Sequence, residues 1–351
     1  MSPWLRRLGP VVLAASLLTA TLGFVLTQRS GPRVTTGALL GANVQANAAN
    51  ITASDLEMRS RRPIAEPSPS PTATPVVTVA VRPTPVHHAP APIIPLPVIS
   101  AQEVALLNLD TGRFLWQAHS AQPWAPASLA KIFTAMVASD LMRLDTQVTV
   151  PASIQQLPWD STVMGLTPGE RLTVRELLYG VFLRSGNDAA ETLASAVTTR
   201  AAFVADMNAK AIRLGLHNTH FVNPTGLDAA GYTTTAYDLA MAATYLEYHY
   251  PALTAIAATH GITLAATATH KTFTMVNINK MLQTYPGATG LKTGWTELAG
   301  GCLITTASRG GHRLLAVVFG SPAVYHEMSL VLDYGFARLG VPPRPSPSPQ
   351  P

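Results

Sequence analysis

The fold of this chain is decided by residues 287–321, which read GATGLKTGWTELAGGCLITTASRGGHRLLAVVFGS. Two stretches in this segment, GCLITTAS (301–308) and HRLLAVVFGS (312–321), are rich in apolar and β-branched residues. They are separated by Arg309-Gly310-Gly311, a short glycine-containing link that is typical of a β-hairpin. The segment therefore predicts two neighbouring antiparallel strands.

A second pair of strands is predicted further towards the N-terminus. EVALLNLD (103–110) and FLWQAH (114–119) are connected through Asp110-Thr111-Gly112 and read as another hairpin. Between and after the two strand pairs, apolar residues recur at helical spacing. Strands at both ends with helices between them predict a single sheet in which the terminal segments pair and a helical cluster faces them. The predicted helices span residues 128–143, 173–184, 188–197, 200–214, 235–248 and 323–339.

The distribution of charge argues against nucleic acid as a partner. The 351-residue chain has a formal net charge of +5, but residues 1–100 contain eight arginines and only three acidic residues. Residues 101–343 contain 15 basic and 16 acidic residues, a net charge of −1, and show no basic stripe. The single cysteine, Cys302, excludes an intramolecular disulfide and a multi-cysteine zinc site.

The N-terminal part of the chain is not typical of a packed domain. Residues 8–26 carry no charge over 19 positions, which predicts a membrane anchor, with a cleaved signal peptide as the alternative. Eleven prolines fall in residues 63–97 and six in residues 342–351, and such sequence favours extended polyproline conformation. The predicted organisation is an anchor or signal segment (1–27), a disordered linker (28–100), a catalytic domain (101–340) and a disordered tail (341–351).

Three short motifs that carry chemistry occur in order within the predicted domain. They are Ser128-Leu129-Ala130-Lys131, Ser185-Gly186-Asn187 and Lys292-Thr293-Gly294. Because positions i and i+3 share one face of a helix, Lys131 can reach the Ser128 hydroxyl. Burial or a second cation such as Lys292 would lower the pKa of Lys131, which could then accept the Ser128 proton. The helix start at Ser128 would also offer backbone N–H groups to a developing oxyanion.

Each motif alone is an ordinary helix cap, turn or loop. Their order, and their predicted places at a helix start, an interhelical turn and a strand start, together indicate one shared site. The chain has only five lysines, and Lys131 and Lys292 are two of them. The same set of three motifs is a known signature of penicillin-binding proteins and class A β-lactamases.

The surrounding sequence resembles one family over about residues 101–340: the serine-type D-alanyl-D-alanine carboxypeptidases, or low-molecular-mass penicillin-binding proteins. This resemblance implies an α/β fold of the penicillin-binding/β-lactamase-like transpeptidase type. We then expect an antiparallel sheet of about five strands flanked by helices, and a helical lobe. The segments that carry the resemblance are PASLAKIFTAMVA around Ser128, LRSGNDAAETLA around Ser185, NPTGLDAAGYTTTAYDLA at 223–240 and GATGLKTGWTELAGGCLITTA around Lys292.

The resemblance also implies a role for each motif residue. Ser128 would be the nucleophile that forms the acyl-enzyme, Lys131 would accept its proton, and Ser185 would relay a proton to the leaving D-alanine. Asn187 would hold the amide on the acyl side, and the backbone N–H groups of Ser128 and Trp295 would form the oxyanion hole. Lys292 and Thr293 would bind the terminal carboxylate, and Thr296 would flank the oxyanion hole. The substrate-binding set implied by the family is Asn187, Lys292, Thr293, Gly294, Trp295 and Thr296.

The expected activity is removal of the terminal D-alanine from peptidoglycan stem peptides, on the extracytoplasmic face of the cell membrane. β-Lactams are expected to acylate the same serine as inhibitors, and no metal or organic cofactor is implied. The membrane is expected as a partner through the N-terminal segment only. Carboxypeptidase, DD-endopeptidase and transpeptidase activities remain open alternatives, because they depend on the shape of the pocket around the leaving group.

Two further alternatives are disfavoured by particular residues. A β-lactamase needs a glutamate that activates water for deacylation, and only Glu191 and Glu247 lie between the second and third motifs. Glu191 follows Ser185 too closely, and no asparagine follows Glu247 in its helix, so the sequence favours a peptidase. A non-catalytic wall-binding protein on a proline-rich stalk is disfavoured because the motif serines and lysines are intact.

Overall fold

The structure is a computed structural model in which residues 94–344 are described. The predicted anchor, residues 28–93 of the predicted linker and residues 345–351 lie outside this range. Within residues 94–344, no helix combines the length and the apolar character needed to cross a membrane.

Nine strands occur in the described part of the chain, and five of them form one antiparallel sheet in the order β2-β1-β9-β8-β7. The other strands form two separate two-stranded pairs, β3 with β4 and β5 with β6. The five-stranded sheet and its flanking helices confirm the predicted α/β fold class. The strands are β1 (Glu103–Asn108), β2 (Arg113–Ala118), β3 (Gln147–Thr149), β4 (Arg171–Thr173), β5 (Gly261–Leu264), β6 (Phe273–Val276), β7 (Ala288–Thr296), β8 (Gly300–Arg309) and β9 (His312–Ser321).

Eight α-helices lie in the same range, and two short 3₁₀ turns supplement them at Ala127–Ala130 and Ala152–Gln156. The helix predicted at 188–197 ends three residues earlier, at Ala194. The helices are α1 (Lys131–Leu141), α2 (Val174–Leu183), α3 (Asn187–Ala194), α4 (Arg200–Arg213), α5 (Ala236–His249), α6 (Pro251–Ala257), α7 (Met281–Thr284) and α8 (Val324–Arg338).

The terminal strands pair as predicted, since β1 runs antiparallel to β9 along its whole length. Helices cover both faces of the sheet, which explains why β8 and β9 read as nearly continuous apolar runs. Alternate residues of β9 enter two different cores. Leu315, Val317 and Phe319 face the core shared with α1 to α6, whereas Leu314 and Val318 face the core shared with α8.

One strand that matters for the site was not predicted. The sequence predicts Lys292-Thr293-Gly294 just before the strand at 301–308, but the motif lies inside β7, at the edge of the sheet. Glycines at 290 and 294 and the charged Lys292 obscure the alternating pattern that identifies a strand. The strand forms because β7 pairs with β8, although its own sequence gives little indication of a strand.

Residues 94–100, which the sequence assigns to the linker, contact the domain. Ile94 and Ile99 pack against the α8 side of the sheet. The backbone N–H of Ser100 donates to Glu327 Oε1 at 2.6 Å. Ordered packing of the chain therefore begins before residue 101.

Candidate active site

Ser128 lies in the 3₁₀ turn Ala127–Ala130, and helix α1 begins three residues later at Lys131. Gly226 packs very closely against this turn. A Cβ atom on Gly226 would lie 1.8 Å from the carbonyl oxygen of Ala127, and Gly226 also has a φ of +86°. Only glycine meets both conditions, so the segment around Gly226 forms the wall against which the Ser128 turn packs.

Lys131 is completely buried and its Nζ atom touches three oxygens. The distances are 2.8 Å to Ser128 Oγ, 2.7 Å to Asn187 Oδ1 and 2.6 Å to the backbone oxygen of Thr225. The Asn187 and Thr225 oxygens can only accept hydrogen bonds. A neutral amine has two hydrogens and one lone pair, so its two hydrogens go to these oxygens and its lone pair faces the Ser128 hydroxyl. In that state Ser128 donates to Lys131, which is the arrangement of a nucleophile and its general base.

The electrostatic surroundings favour the neutral form of Lys131. Burial, and then the nearby charge of Lys292, lower the pKa of Lys131 well below its usual value, while Asp188 and Glu191 act in the opposite direction. Lys292 is also buried, and burial lowers its pKa to about 7. Burial and the neighbouring lysine therefore favour the unprotonated amine that proton transfer from Ser128 requires.

Ser185 connects the second motif to the third. It lies in the turn between α2 and α3, is almost fully buried, and has a positive φ of +55°, a conformation that non-glycine residues adopt rarely. Lys292 Nζ donates to Ser185 Oγ at 2.8 Å and to the backbone oxygen of Thr293 at 2.7 Å. The turn thus aims the Ser185 hydroxyl at Lys292 Nζ on β7, and such strained conformations are often found at functional positions.

Strand β7 carries the remaining motif residues along the edge of the sheet. Among residues 94–344 no strand pairs with its outer side, so backbone groups there are available to an extended ligand. A Cβ atom on Gly294 would lie 3.2 Å from the backbone nitrogen of Ser128, so glycine lets β7 pass close to the nucleophile. Trp295 is 68% exposed at the rim. The hydroxyl of Thr296 accepts from the N–H of Ala299 at 3.1 Å and so holds the β7–β8 turn.

The two serines and β7 open onto one cavity of about 360 Å³. No carboxylate occurs among the described residues that line it. Cys302 belongs to this wall, but it is buried and burial raises the pKa of its thiol to about 12, so it is no nucleophile at neutral pH. The lining residues are Ser128, Thr162, Ser185, Ile278, Thr293, Gly294, Trp295, Gly301, Cys302, Val324 and Tyr325.

The two glutamates considered for a β-lactamase are engaged elsewhere. Glu191 forms an ion pair with Arg200, in which the Nε–Oε2 distance is 2.7 Å. Glu247 lines a different cavity, together with Thr289 and Arg313. Neither carboxylate lines the cavity that contains Ser128.

Several residues that shape the site were not identified from the sequence. Thr225 is one of them, because its backbone oxygen accepts a hydrogen bond from Lys131. Asn223 fixes the segment that contains Thr225, since its side-chain oxygen accepts hydrogen bonds from the N–H groups of Thr225 and Gly226 at 3.1 and 2.8 Å. The sequence Asn-Pro-Thr-Gly at 223–226 predicts a turn, but it does not predict that this turn contacts Lys131. Among residues 94–344 no group of three or more histidine, cysteine, aspartate or glutamate side chains is placed to hold a metal ion.

A family model described as D-alanyl-D-alanine carboxypeptidase, peptidase S11, matches residues 89–323. A D-alanyl-D-alanine carboxypeptidase of Bacillus subtilis is 36% identical over 245 residues, which cover 68% of this chain and 62% of the relative. A D-alanyl-D-alanine carboxypeptidase of Mycobacterium tuberculosis is 35% identical over 256 residues, which cover 71% of this chain and 86% of the relative. The chain thus spans less than two thirds of the length of the Bacillus relative.

Solved structures show the same likeness. A penicillin-binding protein homologue from Mycobacterium tuberculosis superposes with a TM-score of 0.66 at 34% sequence identity, covering 71% of this chain and 95% of that one. The DD-transpeptidase of Streptomyces K15 superposes with a TM-score of 0.65 at 32% identity, covering 70% of this chain and 100% of that one.

Proposed function

The chain belongs to the D-alanyl-D-alanine carboxypeptidase family, peptidase S11, and we propose that it is a serine DD-carboxypeptidase of peptidoglycan stem peptides. The observation that carries the proposal is the arrangement of three oxygens around Lys131 Nζ, which suits a neutral amine. Its two acceptor-only neighbours leave the lone pair for the Ser128 hydroxyl, which lies 2.8 Å away.

Acylation begins when Ser128 Oγ attacks the carbonyl carbon of the penultimate D-alanine. The Ser128 proton passes to Lys131 Nζ as the C–O bond forms. The oxyanion of the tetrahedral intermediate is held by the backbone N–H groups of Ser128 and Trp295. Gly294 supports this assignment, because it allows β7 to pass close to the Ser128 backbone nitrogen.

The leaving group departs when the C–N bond of the intermediate breaks. The amine of D-alanine takes a proton through the Ser185 hydroxyl, which is hydrogen bonded to Lys292. The substrate carboxylate binds Lys292 and Thr293, and this negative charge favours the protonated form of Lys292. The protonated Lys292 in turn keeps Lys131 neutral, so binding of the correct carboxylate prepares the base.

Deacylation requires water to attack the ester on Ser128, and the shortened peptide then leaves. No carboxylate lines the described part of the Ser128 cavity, so nothing resembles the water-activating glutamate of a β-lactamase. This favours a stable penicillin adduct over rapid turnover of β-lactams. One structural relative is named a transpeptidase, so an amine acceptor in place of water is a second candidate for this step.

Intact-mass analysis of the full chain after incubation with penicillin tests the proposal. We expect one adduct, located on Ser128 by peptide mapping and persisting for minutes or longer, and release of D-alanine from a D-Ala–D-Ala pentapeptide. Absence of an adduct, or an adduct on another residue, contradicts the mechanism. Rapid loss of the adduct supports a β-lactamase, and cleavage of a cross-linked dimer or transfer to an added amine identifies an endopeptidase or a transpeptidase.

We also propose that residues 8–26 hold the enzyme at the extracytoplasmic face of the membrane, since 19 uncharged positions suffice to span a bilayer. The full chain is expected in the membrane fraction of lysed cells. A variant with Leu17→Arg and Leu18→Arg is expected in the supernatant, because each arginine costs about 2.5–3.5 kcal/mol at the centre of a spanning helix. Recovery of the unaltered chain in the supernatant at its full mass contradicts an anchor, and a shortened product there indicates a cleaved signal peptide.

A further inference from the structure

Asp188 follows the second motif directly and is a buried carboxylate, 2% exposed, in the first turn of α3. It accepts four backbone hydrogen bonds. Three come from consecutive residues of a distant loop, the N–H groups of Met164, Gly165 and Leu166, each at 2.9 Å. The fourth comes from the N–H of Ala189 at 2.8 Å. A single carboxylate therefore anchors three residues of the loop 161–166 to the start of α3.

Loop 161–166 forms three hydrogen bonds with the second motif. The N–H of Asn187 donates to the carbonyl oxygen of Thr162 at 2.8 Å. The Thr162 hydroxyl donates to the carbonyl oxygen of Ser185 at 3.0 Å. Asn187 Nδ2 donates to Ser161 Oγ at 3.2 Å. Loop 161–166 therefore fixes the backbone of the Ser185 turn and one end of the Asn187 amide.

The orientation of the Asn187 amide matters for the base. Because its nitrogen is directed to Ser161, its oxygen remains to accept from Lys131 Nζ at 2.7 Å. A rotated amide would present N–H groups to the amine instead and would compete with Ser128 for the lone pair. The contact with Ser161 thus holds the amide in the place from which its oxygen reaches Lys131.

Loop 161–166 packs so closely against the second motif that two positions have no space for a side chain. A Cβ atom on Gly186 would lie 2.9 Å from Asp188 Oδ1 and 3.1 Å from the nitrogen of Met164. A Cβ atom on Gly180 would lie 2.3 Å from Met164 Sδ. Two glycines therefore permit the close approach that the carboxylate holds in place.

We propose that Asp188 is a positioning residue of the catalytic site, which acts through loop 161–166 to orient the Asn187 amide towards Lys131. Asp188 itself does not line the cavity that contains Ser128. The inference rests on the proposed function, since it assigns a task to Asp188 in the acylation of Ser128.

The test compares the full-length Asp188→Asn variant with the unaltered chain and with Asp160→Asn. Asp160 is an exposed carboxylate near the same loop and serves as the matched control. Asparagine at 188 keeps the size of the side chain but replaces one acceptor oxygen by a donor, which opposes the N–H groups it must bind. We expect amide hydrogen exchange at Met164, Gly165 and Leu166 to accelerate at least about 10-fold, and penicillin acylation of the folded protein to slow about 10-fold or more.

The pH profile of acylation separates positioning from loss of stability. The charged groups that act on Lys131 are Lys292, Asp188 and Glu191, and the negative charge of Asp188 raises the pKa of Lys131. Removing that charge shifts the rise of the acylation rate to lower pH. That shift follows from the lost charge alone, so positioning is read from the plateau of the profile: a role limited to stability leaves the plateau rate of the folded protein in place, whereas loss of positioning lowers it.

If Asp188→Asn does not fold, Ser161→Ala gives the answer, since it removes only the hydroxyl that orients Asn187. Acylation slowed about 5-fold or more in Ser161→Ala supports the proposal, and acylation at the unaltered rate overturns it. In a folded Asp188→Asn variant, unaltered acylation or unaltered exchange at the three loop amides also overturns it. If the unaltered chain itself forms no penicillin adduct, the proposed function fails instead, and the two failures are distinguishable.

Discussion

Lys131→Ala is expected to slow penicillin acylation of Ser128 by about 10²–10⁴-fold, the usual range for loss of a general base. The amine lies 2.8 Å from the Ser128 hydroxyl, and no other side chain among residues 94–344 forms a hydrogen bond with that hydroxyl. Lys131→Met keeps the aliphatic stem and is expected to lose acylation to the same extent. The rate is read from intact-mass spectra at several incubation times.

Lys210→Ala is the matched control for the loss of a buried lysine. Lys210 is 5% exposed and pairs with Asp140 and Tyr250 at 2.7 and 2.6 Å, away from the cavity that contains Ser128. This variant is expected to lose stability, because the buried lysine side chain and its hydrogen bonds to Asp140 and Tyr250 are removed, but to acylate at the unaltered rate once folded. Acylation of Lys131→Ala at near the unaltered rate contradicts the assignment of Lys131 as the base.

The same base predicts the direction of the pH dependence. Acylation requires the deprotonated amine, and burial together with Lys292 lowers the pKa of Lys131 in the folded protein. The rate is therefore expected to rise with pH and to reach its plateau well below 10.5, the usual lysine value. A midpoint near that value contradicts the neutral-amine mechanism.

Gly226→Ala is expected to reduce acylation of Ser128 by about 10²-fold, the scale that a displacement of about 1 Å produces at a reacting centre. The new methyl group would lie 1.8 Å from the carbonyl oxygen of Ala127, immediately before the nucleophile. Either this turn or the Asn223–Gly226 segment must move, and that segment also supplies the Thr225 oxygen to Lys131. Rates are compared on folded protein, with melting temperatures measured in parallel.

Gly231→Ala separates the effect of contact from the effect of backbone conformation. Gly231 has a similar positive φ, +79°, but a Cβ atom there would have no neighbour within 4 Å. Both variants are expected to lose about 1–2 kcal/mol of stability from the left-handed conformation, and only Gly226→Ala loses acylation. Equal loss of acylation in both variants would show that contact with Ala127 is not what matters.

The amino-acid sequence alone determined the α/β class, the pairing of the terminal strands and most of the helices. The strands and helices depend on local periodicity and on turn residues such as Arg309-Gly310-Gly311, which lie close together in the chain. The pairing of the terminal strands followed from the order of the elements, with strands at both ends and helices between them. The sequence also identified the spacing of Ser128 and Lys131, because an i, i+3 contact is a property of a single turn of helix. The resemblance to a known family supplied the expected roles of Ser185 and Lys292, which lie 107 positions apart.

Other features were decided only by the tertiary structure. Strand β7 has a weak local signal and exists because it pairs with β8. The Thr225 oxygen reaches Lys131 across 94 positions, and the carboxylate of Asp188 binds a loop 22 to 24 positions away. Backbone atoms carry no sequence signal of their own, and the neutral state of Lys131 depends on complete burial by several elements at once. The physical reason is that desolvation and contacts between distant segments exist only after the chain has packed.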